Sequence, residues 1–205
     1  MQSIQFEQQC FCPSKIVCVG RNYTAHIEEL GNAVPDDMVL FLKPNSAIGD
    51  TLKIPCQQLV HYETELCFLI IGGQLAAIGL GIDLTLRDLQ FRLKEQGLPW
   101  ERAKSFDGAA VFSEFVPLQG SIDGYRLELD IDGELKQAGG VAQMLHTPSA
   151  ILDEVQNFLS LEDGDILMTG TPAGVGALHV GMQLDARLYA GSKKLVTHRW
   201  CVESA

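Results

Sequence analysis

No apolar run in the chain is longer than the six residues from Leu66 to Ile71, far short of the roughly 20 that a membrane-spanning helix needs. The opening residues, MQSIQFEQQCFC, lack both a basic start and a long apolar segment, so no secretion signal is legible and the expected compartment is cytoplasmic. Basic residues are scarce, with 15 Lys and Arg against 26 Asp and Glu and a formal charge of −11. Nucleic-acid binding draws on dense Lys and Arg, so neither nucleic acid nor a membrane is the expected partner; a small molecule is. The six cysteines include no Cys-x-x-Cys pair, and a chain of this size folds without staples, so they read as free thiols. Repeats, low-complexity tracts and Pro/Ser-rich linkers are missing too, which favours one domain. With 46% hydrophobic and 20% charged residues, disorder, collagen and coiled coil are excluded.

What is present is a series of short, β-branched-rich runs bounded by turn residues: Lys15–Val19, Met38–Leu42, Glu65–Ile71, Ile78–Asp83, Tyr125–Ile131 and Asp165–Thr169. They read as strands. Tyr125–Ile131 alternates, and Asp132-Gly133 offers a tight turn into Glu134–Gln137, a half-exposed hairpin. Two helices are signalled. In TLRDLQFRLKEQG, Thr85 is the expected cap with Asp88 reaching back, Leu86, Leu89 and Leu93 form the inner stripe, and Gly97 ends it. In TPSAILDEVQNFLSLEDG, Thr147 caps, Pro148 takes the first helical position, and Ile151, Leu152, Val155, Phe158 and Leu159 repeat at helical spacing. TAHIEELGN is a third, two-turn candidate between Thr24 and Gly31. Strands outnumber helices and do not alternate with them, so the expected class is α+β, mainly β, and not a Rossmann sheet.

Chemistry concentrates in His61-Tyr62-Glu63-Thr64-Glu65-Leu66. Side chains alternate along a strand, so Glu63 and Glu65 share one face. An exposed strand end would leave both solvated, but this strand runs straight into Leu66–Ile71, apolar on both faces and therefore expected to be buried. Carboxylates entering a buried strand need a cation. Asp83 ends another apolar strand; without Glu63 and Glu65 it would read as a charge at a helix N-terminus. Three carboxylates without a His/Cys cluster select a hard ion, Mg²⁺ or Mn²⁺, over Zn²⁺.

His26 and Glu29, three apart in the short helix, share a face, and the carboxylate can orient the imidazole as a base; a solvated surface helix explains the same spacing. Lys104, Arg87 and Gln90 are ordinarily surface residues. The loop Thr169–Gly176 follows an apolar strand and supplies hydroxyls and backbone N–H groups that can hold a carboxylate, though it is no P-loop, because no Gly-Lys-Ser/Thr follows.

Taken together, VGRNYTAHIEE (19–29), LFLKP (40–44), HYETEL (61–66), GIDLTLRDLQ (81–90), GLPWERAKSFD (97–107) and LEDGDILMTGTPAGVG (161–176) resemble the fumarylacetoacetate hydrolase family, most closely its small single-domain acylpyruvase and oxaloacetate decarboxylase members. The resemblance implies a mixed β-sandwich roll with a few short helices, an N-terminal extension over 1–14 before a catalytic domain over 15–205, and a homodimer. It implies one Mg²⁺ or Mn²⁺ per subunit on Glu63, Glu65 and Asp83, and a lid helix whose His26 and Glu29 activate water. Lys104 then lies beside the metal, Gln90 and Thr171 match positions contacting the α-keto acid end of the ligand, and Arg21, Lys43 and Arg87 are further ligand or site-supporting candidates. One departure stands out: between Ile71 and Ile78 the family inserts a short helical segment, and this chain has only Gly72–Ala77.

The expected activity is metal-dependent cleavage of the C–C bond of 3-acylpyruvates such as fumarylpyruvate, giving pyruvate and a carboxylic acid, with oxaloacetate decarboxylation reaching the same enolate without water. The rival expectation is an isomerase of the 2-hydroxyhepta-2,4-diene-1,7-dioate type, which needs no water base. A non-catalytic binder of oxoacids or metal is the alternative from a different class.

Overall fold

In the computed structural model, residues 1–29, 31, 34–55 and 58–205 are described. The main strands of its two large sheets are β1 (Lys15–Gly20), β2 (Val39–Pro44), β3 (Thr64–Ile71), β4 (Gln74–Asp83), β5 (Ala110–Phe112), β6 (Tyr125–Ile131), β7 (Glu134–Gly140), β8 (Ile166–Met168), β9 (Gln183–Ala190) and β10 (Lys193–Cys201). The first sheet runs β5-β4-β3-β8-β1-β2, with Val116–Pro117 added to β4; β8 lies parallel to β1 and the other pairs are antiparallel. The second is antiparallel throughout, in the order β7-β6-β9-β10.

Their packing explains the continuous apolar run in β3. Leu66 and Phe68 point one way, into a core shared with Ile78, Leu80 and Ile82 of β4 and with Leu127, Leu129, Leu184 and Leu188 of the second sheet. Cys67 and Leu69 point the other way, into a smaller core with Ile16, Cys18, Ala77, Ile166 and Met168. Both faces are therefore covered, and each large aliphatic side chain taken fully out of water contributes about 1.5–3 kcal/mol. Ile4, from an N-terminal hairpin of Ile4–Phe6 and Gln9–Phe11, joins the smaller core.

The hairpin at Asp132-Gly133 was legible in the sequence. Asp132 (φ 50°) and Gly133 (φ 86°) turn β6 into β7, the double left-handed geometry that matches strand twist. Gly72 (φ 59°) and Gly73 (φ 71°) do the same between β3 and β4, so the short connection after Ile71 closes directly and leaves the pairing behind Asp83 intact. β9 and β10, half of the second sheet, are absent from the runs read as strands, although Leu184, Ala186 and Leu188 alternate with polar positions along β9.

The helices are α1 (Thr24–Glu29), α2 (Arg87–Glu95) and α3 (Pro148–Gln156). α3 starts as read: Thr147 Oγ1 accepts from the Ala150 N–H at 3.3 Å, with Pro148 in the first turn and Ile151, Leu152 and Val155 buried. Phe158 departs from the expected stripe; it lies past the helix end and is 62% exposed. α2 corrects a second reading. Thr85 does not cap it, because Thr85–Leu86 pairs as a short strand with Val60–Tyr62, and that pairing delays the helix to Arg87 with no side-chain cap. Gly97 (φ 65°) ends it as expected, its N–H bonding Lys94 O at 3.1 Å. Of the α1 candidate, Leu30 and Asn32 lie outside the described residues. Cys10, Cys12, Cys18, Cys67 and Cys201 are free thiols; Cys56 lies outside the described residues. Among the described residues, no helix is long and apolar enough to cross a membrane.

Candidate active site

The site begins with strand parity. Positions 63, 65, 67 and 69 share the face of β3 that covers the smaller core, and position 83 shares the corresponding face of β4 with Gly81 and Ala77. The ladder brings them level: Glu65 pairs with Gly81, and the Asp83 N–H bonds Glu63 O at 2.8 Å. Gly81 is required here, since a Cβ would come within 2.6 Å of Cys67 Sγ. Where the small core ends, Glu63, Glu65 and Asp83 gather, one carboxylate oxygen from each lying within 4.8 Å of the other two, with each residue at least nine-tenths buried. Because α2 begins only at Arg87, Asp83 is not a helix-terminus charge.

Three buried anions are balanced unevenly. Lys104 Nζ bridges Glu63 Oε2 (2.7 Å) and Asp83 Oδ2 (2.6 Å), and Arg87 Nη2 reaches Glu63 Oε1 at 2.5 Å. Lys43, fully buried, stands beneath the site: Nζ lies 2.8 Å from Asp83 Oδ1 and donates to the carbonyls of Lys104 and Ala109. Burial opposes ionisation of Glu63, but Lys104 and Arg87 overcome it and hold the carboxyl well below the usual range. Glu65 has the opposite fate: burial, then Asp83 and Glu63, push it well up. Its carboxylate accepts the Gly170 N–H at 2.7 Å, and among the described residues no Lys or Arg pairs with it. Burial also disfavours the charged form of Lys104, yet Asp83 and Glu63 raise it above the usual lysine value.

That imbalance is a fit test for a cation. Glu65 is a buried carboxylate with no counter-charge of its own, and Asp83 Oδ1, although close to Lys43, has no aligned hydrogen bond. An all-oxygen donor set of this kind suits a hard divalent ion.

Above the triad lies a cavity of about 180 Å³ lined by Arg21, His26, Glu63, Glu65, Asp83, Arg87, Gln90, Lys94, Lys104 and Thr171, with Val39, Phe41, Phe91 and Trp100 as its apolar wall. Pockets for drug-sized ligands run to about 300–1,000 Å³, so this one suits a small metabolite. Nine of the eleven residues singled out in the sequence line it. The others stand behind: Lys43 under Asp83, and Glu29 behind His26. His26 Nδ1 is 3.2 Å from Glu29 Oε2, and Glu29 in turn accepts the Gly174 N–H at 3.0 and 3.2 Å.

The loop after β8 does hold carboxylates, and they are the protein's own. Its N–H groups at Gly170 and Gly174 hold carboxylates of the protein, Glu65 and Glu29, and Thr171 Oγ1 donates to Thr64 O (2.9 Å) while accepting from Gln137 Nε2 (2.8 Å). A Cβ at Gly174 (φ 101°) would collide with Lys136 O, so glycine lets the loop approach. Asn22 fixes the other side, donating to His146 O and Thr169 O and accepting the His146 N–H at 2.7 Å, which pins the chain just before α1. Asn22, Gln137, Lys94 and the aromatic wall escaped sequence reasoning. For Lys94 a signal existed: Arg87, Gln90, Phe91 and Lys94 repeat at helical spacing.

The family model for the fumarylacetoacetate (FAA) hydrolase C-terminal region matches residues 15–202. Oxaloacetate tautomerase YcgM of Escherichia coli (strain K12) is 41% identical over 189 residues, covering 83% of this chain and 86% of that protein. A protein described as a fumarylacetoacetate isomerase/hydrolase from Oleispira antarctica superposes with a TM-score of 0.92 at 41% identity, over 99% of this chain and 100% of the other. Fumarylpyruvate hydrolase from Pseudomonas aeruginosa, in complex with Mn²⁺ and pyruvate, gives a TM-score of 0.85 at 31% identity, over 100% and 96%.

Proposed function

For a chain that belongs to the fumarylacetoacetate hydrolase family, we propose an enzyme acting on small 2-oxoacids through an enolate, with keto–enol interconversion of oxaloacetate as its leading reaction. The observation that carries this reading is Glu65, a buried carboxylate that no Lys or Arg among the described residues pairs with, inside a triad that shares one cavity with the imidazole of His26. The 41% identical relative named oxaloacetate tautomerase supports the choice of substrate.

Glu63, Glu65 and Asp83 would hold a hard divalent ion, which when bound supplies Lewis acidity to the oxygens of the oxoacid. His26 is the cavity's imidazole. With Nδ1 engaged by Glu29, its Nε2 is the nitrogen left to take the proton from carbon three of the keto form. The C–H electron pair moves into the C2–C3 bond, negative charge passes to the 2-oxo oxygen, and transfer of the proton held by the His26 imidazolium to that oxygen gives the enol and restores the base; the reverse sequence regenerates the ketone. Lys104, Arg87 and the Gln90 amide face the developing charge from the cavity wall, and the burial of Lys104 and Gln90 strengthens such interactions. Glu29 is a positioning residue, fixing the ring through one contact and the loop through another.

A second reading, hydrolysis of 3-acylpyruvates, is supported by the same His26–Glu29 pair, oriented to take a proton from water instead of carbon, and by the fumarylpyruvate hydrolase neighbour. The deciding experiment compares the chelated protein with protein supplied with Mg²⁺ or Mn²⁺. Decay of enol-oxaloacetate is followed by ultraviolet absorbance, and pyruvate release from fumarylpyruvate by a coupled assay. Metal-dependent ketonisation faster than acylpyruvate cleavage is the expected result. The reverse ranking establishes the hydrolase, and turnover that survives exhaustive chelation overturns both.

A further inference from the structure

The cations of the cavity are not equivalent. Arg87 and Lys104 are committed to Glu63 and Asp83 at 2.5–2.7 Å. Lys94 is not: among the described residues its ammonium makes no ion pair and no hydrogen bond, and it stands over the Trp100 ring, 4.9 Å from the centroid. It lies on the α2 face that carries Arg87, Gln90 and Phe91 into the cavity, three residues beyond Phe91 and so nearer the helix C-terminus. The aromatic wall joins the two ends of the site. Trp100 meets Phe41 edge-on at 5.1 Å, and Phe41 lies 5.3 Å from Lys104 Nζ.

We infer that Lys94 is a specificity-determining residue, binding the distal carboxylate of a dicarboxylic oxoacid whose 2-oxoacid head faces the acidic triad. This deepens the oxoacid reading and rests on it. The lining offers such a molecule both of its ends: donors and carboxylates around the triad and, past Phe41 and Trp100, an unmatched positive charge. Burial, with Arg21 and Lys104 adding repulsion, lowers Lys94 to about 8, the behaviour of an ammonium that lacks an anion; a substrate carboxylate supplies one. Oxaloacetate carries that second carboxylate. Pyruvate does not.

The test compares oxaloacetate with its 4-methyl ester, which keeps the head group and the carbon chain and replaces the distal negative charge by a neutral methyl ester. Wild type is expected to prefer the diacid. In K94Q the ratio of kcat/KM for diacid over ester should fall at least about tenfold, the size expected for one charge-assisted hydrogen bond, with the change in KM. K94R should restore the preference and K94E should invert it. Equal losses on both substrates in K94Q, or an unchanged ratio, overturn the inference. If wild type converts neither compound, the oxoacid activity fails and Lys94 is judged separately by calorimetric titration of the Mn²⁺-supplied protein with the same two ligands. Tighter binding of the diacid that K94Q abolishes upholds the role, and equal or no binding ends it.

Discussion

Replacing Lys104 by methionine probes the charge balance of the triad directly. Its ammonium bridges Glu63 and Asp83 at 2.7 and 2.6 Å with the side chain 4% exposed. Removing one partner of a buried ion pair costs about 3–5 kcal/mol, because the charge left behind stays out of water. Glu63 keeps Arg87 and Asp83 keeps Lys43, which places K104M near the lower end of that range. In a chain of this size each kcal/mol moves Tm by about 2–4 °C, so melting of the chelated variant should fall by roughly 6–12 °C. A ligand that binds only the folded state returns about 2.7 kcal/mol at a hundred times its Kd. With one cation gone from its triad, K104M should gain more from Mg²⁺ or Mn²⁺ than wild type does. The assay is thermal unfolding by circular dichroism, chelated and metal-supplied, for both proteins. An unchanged Tm in chelator, or equal metal increments, would refute the reasoning that these carboxylates form one electrostatic unit.

E65Q removes the carboxylate whose ionisation burial and its neighbours oppose; it should abolish Mn²⁺ binding by calorimetry while leaving the chelated protein as stable as wild type or more so. Asp165 accepts from Ser14 N (2.8 Å), Ser14 Oγ (2.8 Å) and Glu162 N (2.9 Å) and pairs with Lys15 Nζ at 2.5 Å. Burial pushes its carboxyl up, but these donors outweigh burial and hold it below the usual value. Because the folded pKa is depressed, its contribution is present above the unfolded carboxylate value of about 3.9 and is lost as pH falls through the folded value. D165N should therefore lower Tm at neutral pH by several degrees and lose less than wild type on acidification to about pH 3. T147A should cost about 1 kcal/mol through loss of the Ala150 cap, a Tm decrease of about 2–4 °C.

The sequence carried the local rules of this protein far. Period-two spacing put Glu63 and Glu65 on one strand face, i,i+3 spacing put Glu29 beside His26, and Thr147-Pro148 set the start of α3. These follow from backbone geometry within a few residues. The long-range matches did not. Thr85 has the chemistry of a cap and was taken instead by pairing with His61, because a distant strand competes for the same backbone groups. The N–H groups of Gly170 and Gly174 look free for a ligand until Glu65 and Glu29 reach them from 105 and 145 residues away. Whether Lys43 faces ligand or supports Asp83 from below depends on which side of β2 the small core covers. A residue type fixes what charge or donor it can offer; only packing across the chain fixes which partner it meets, since burial and counter-charge are supplied by residues remote in sequence.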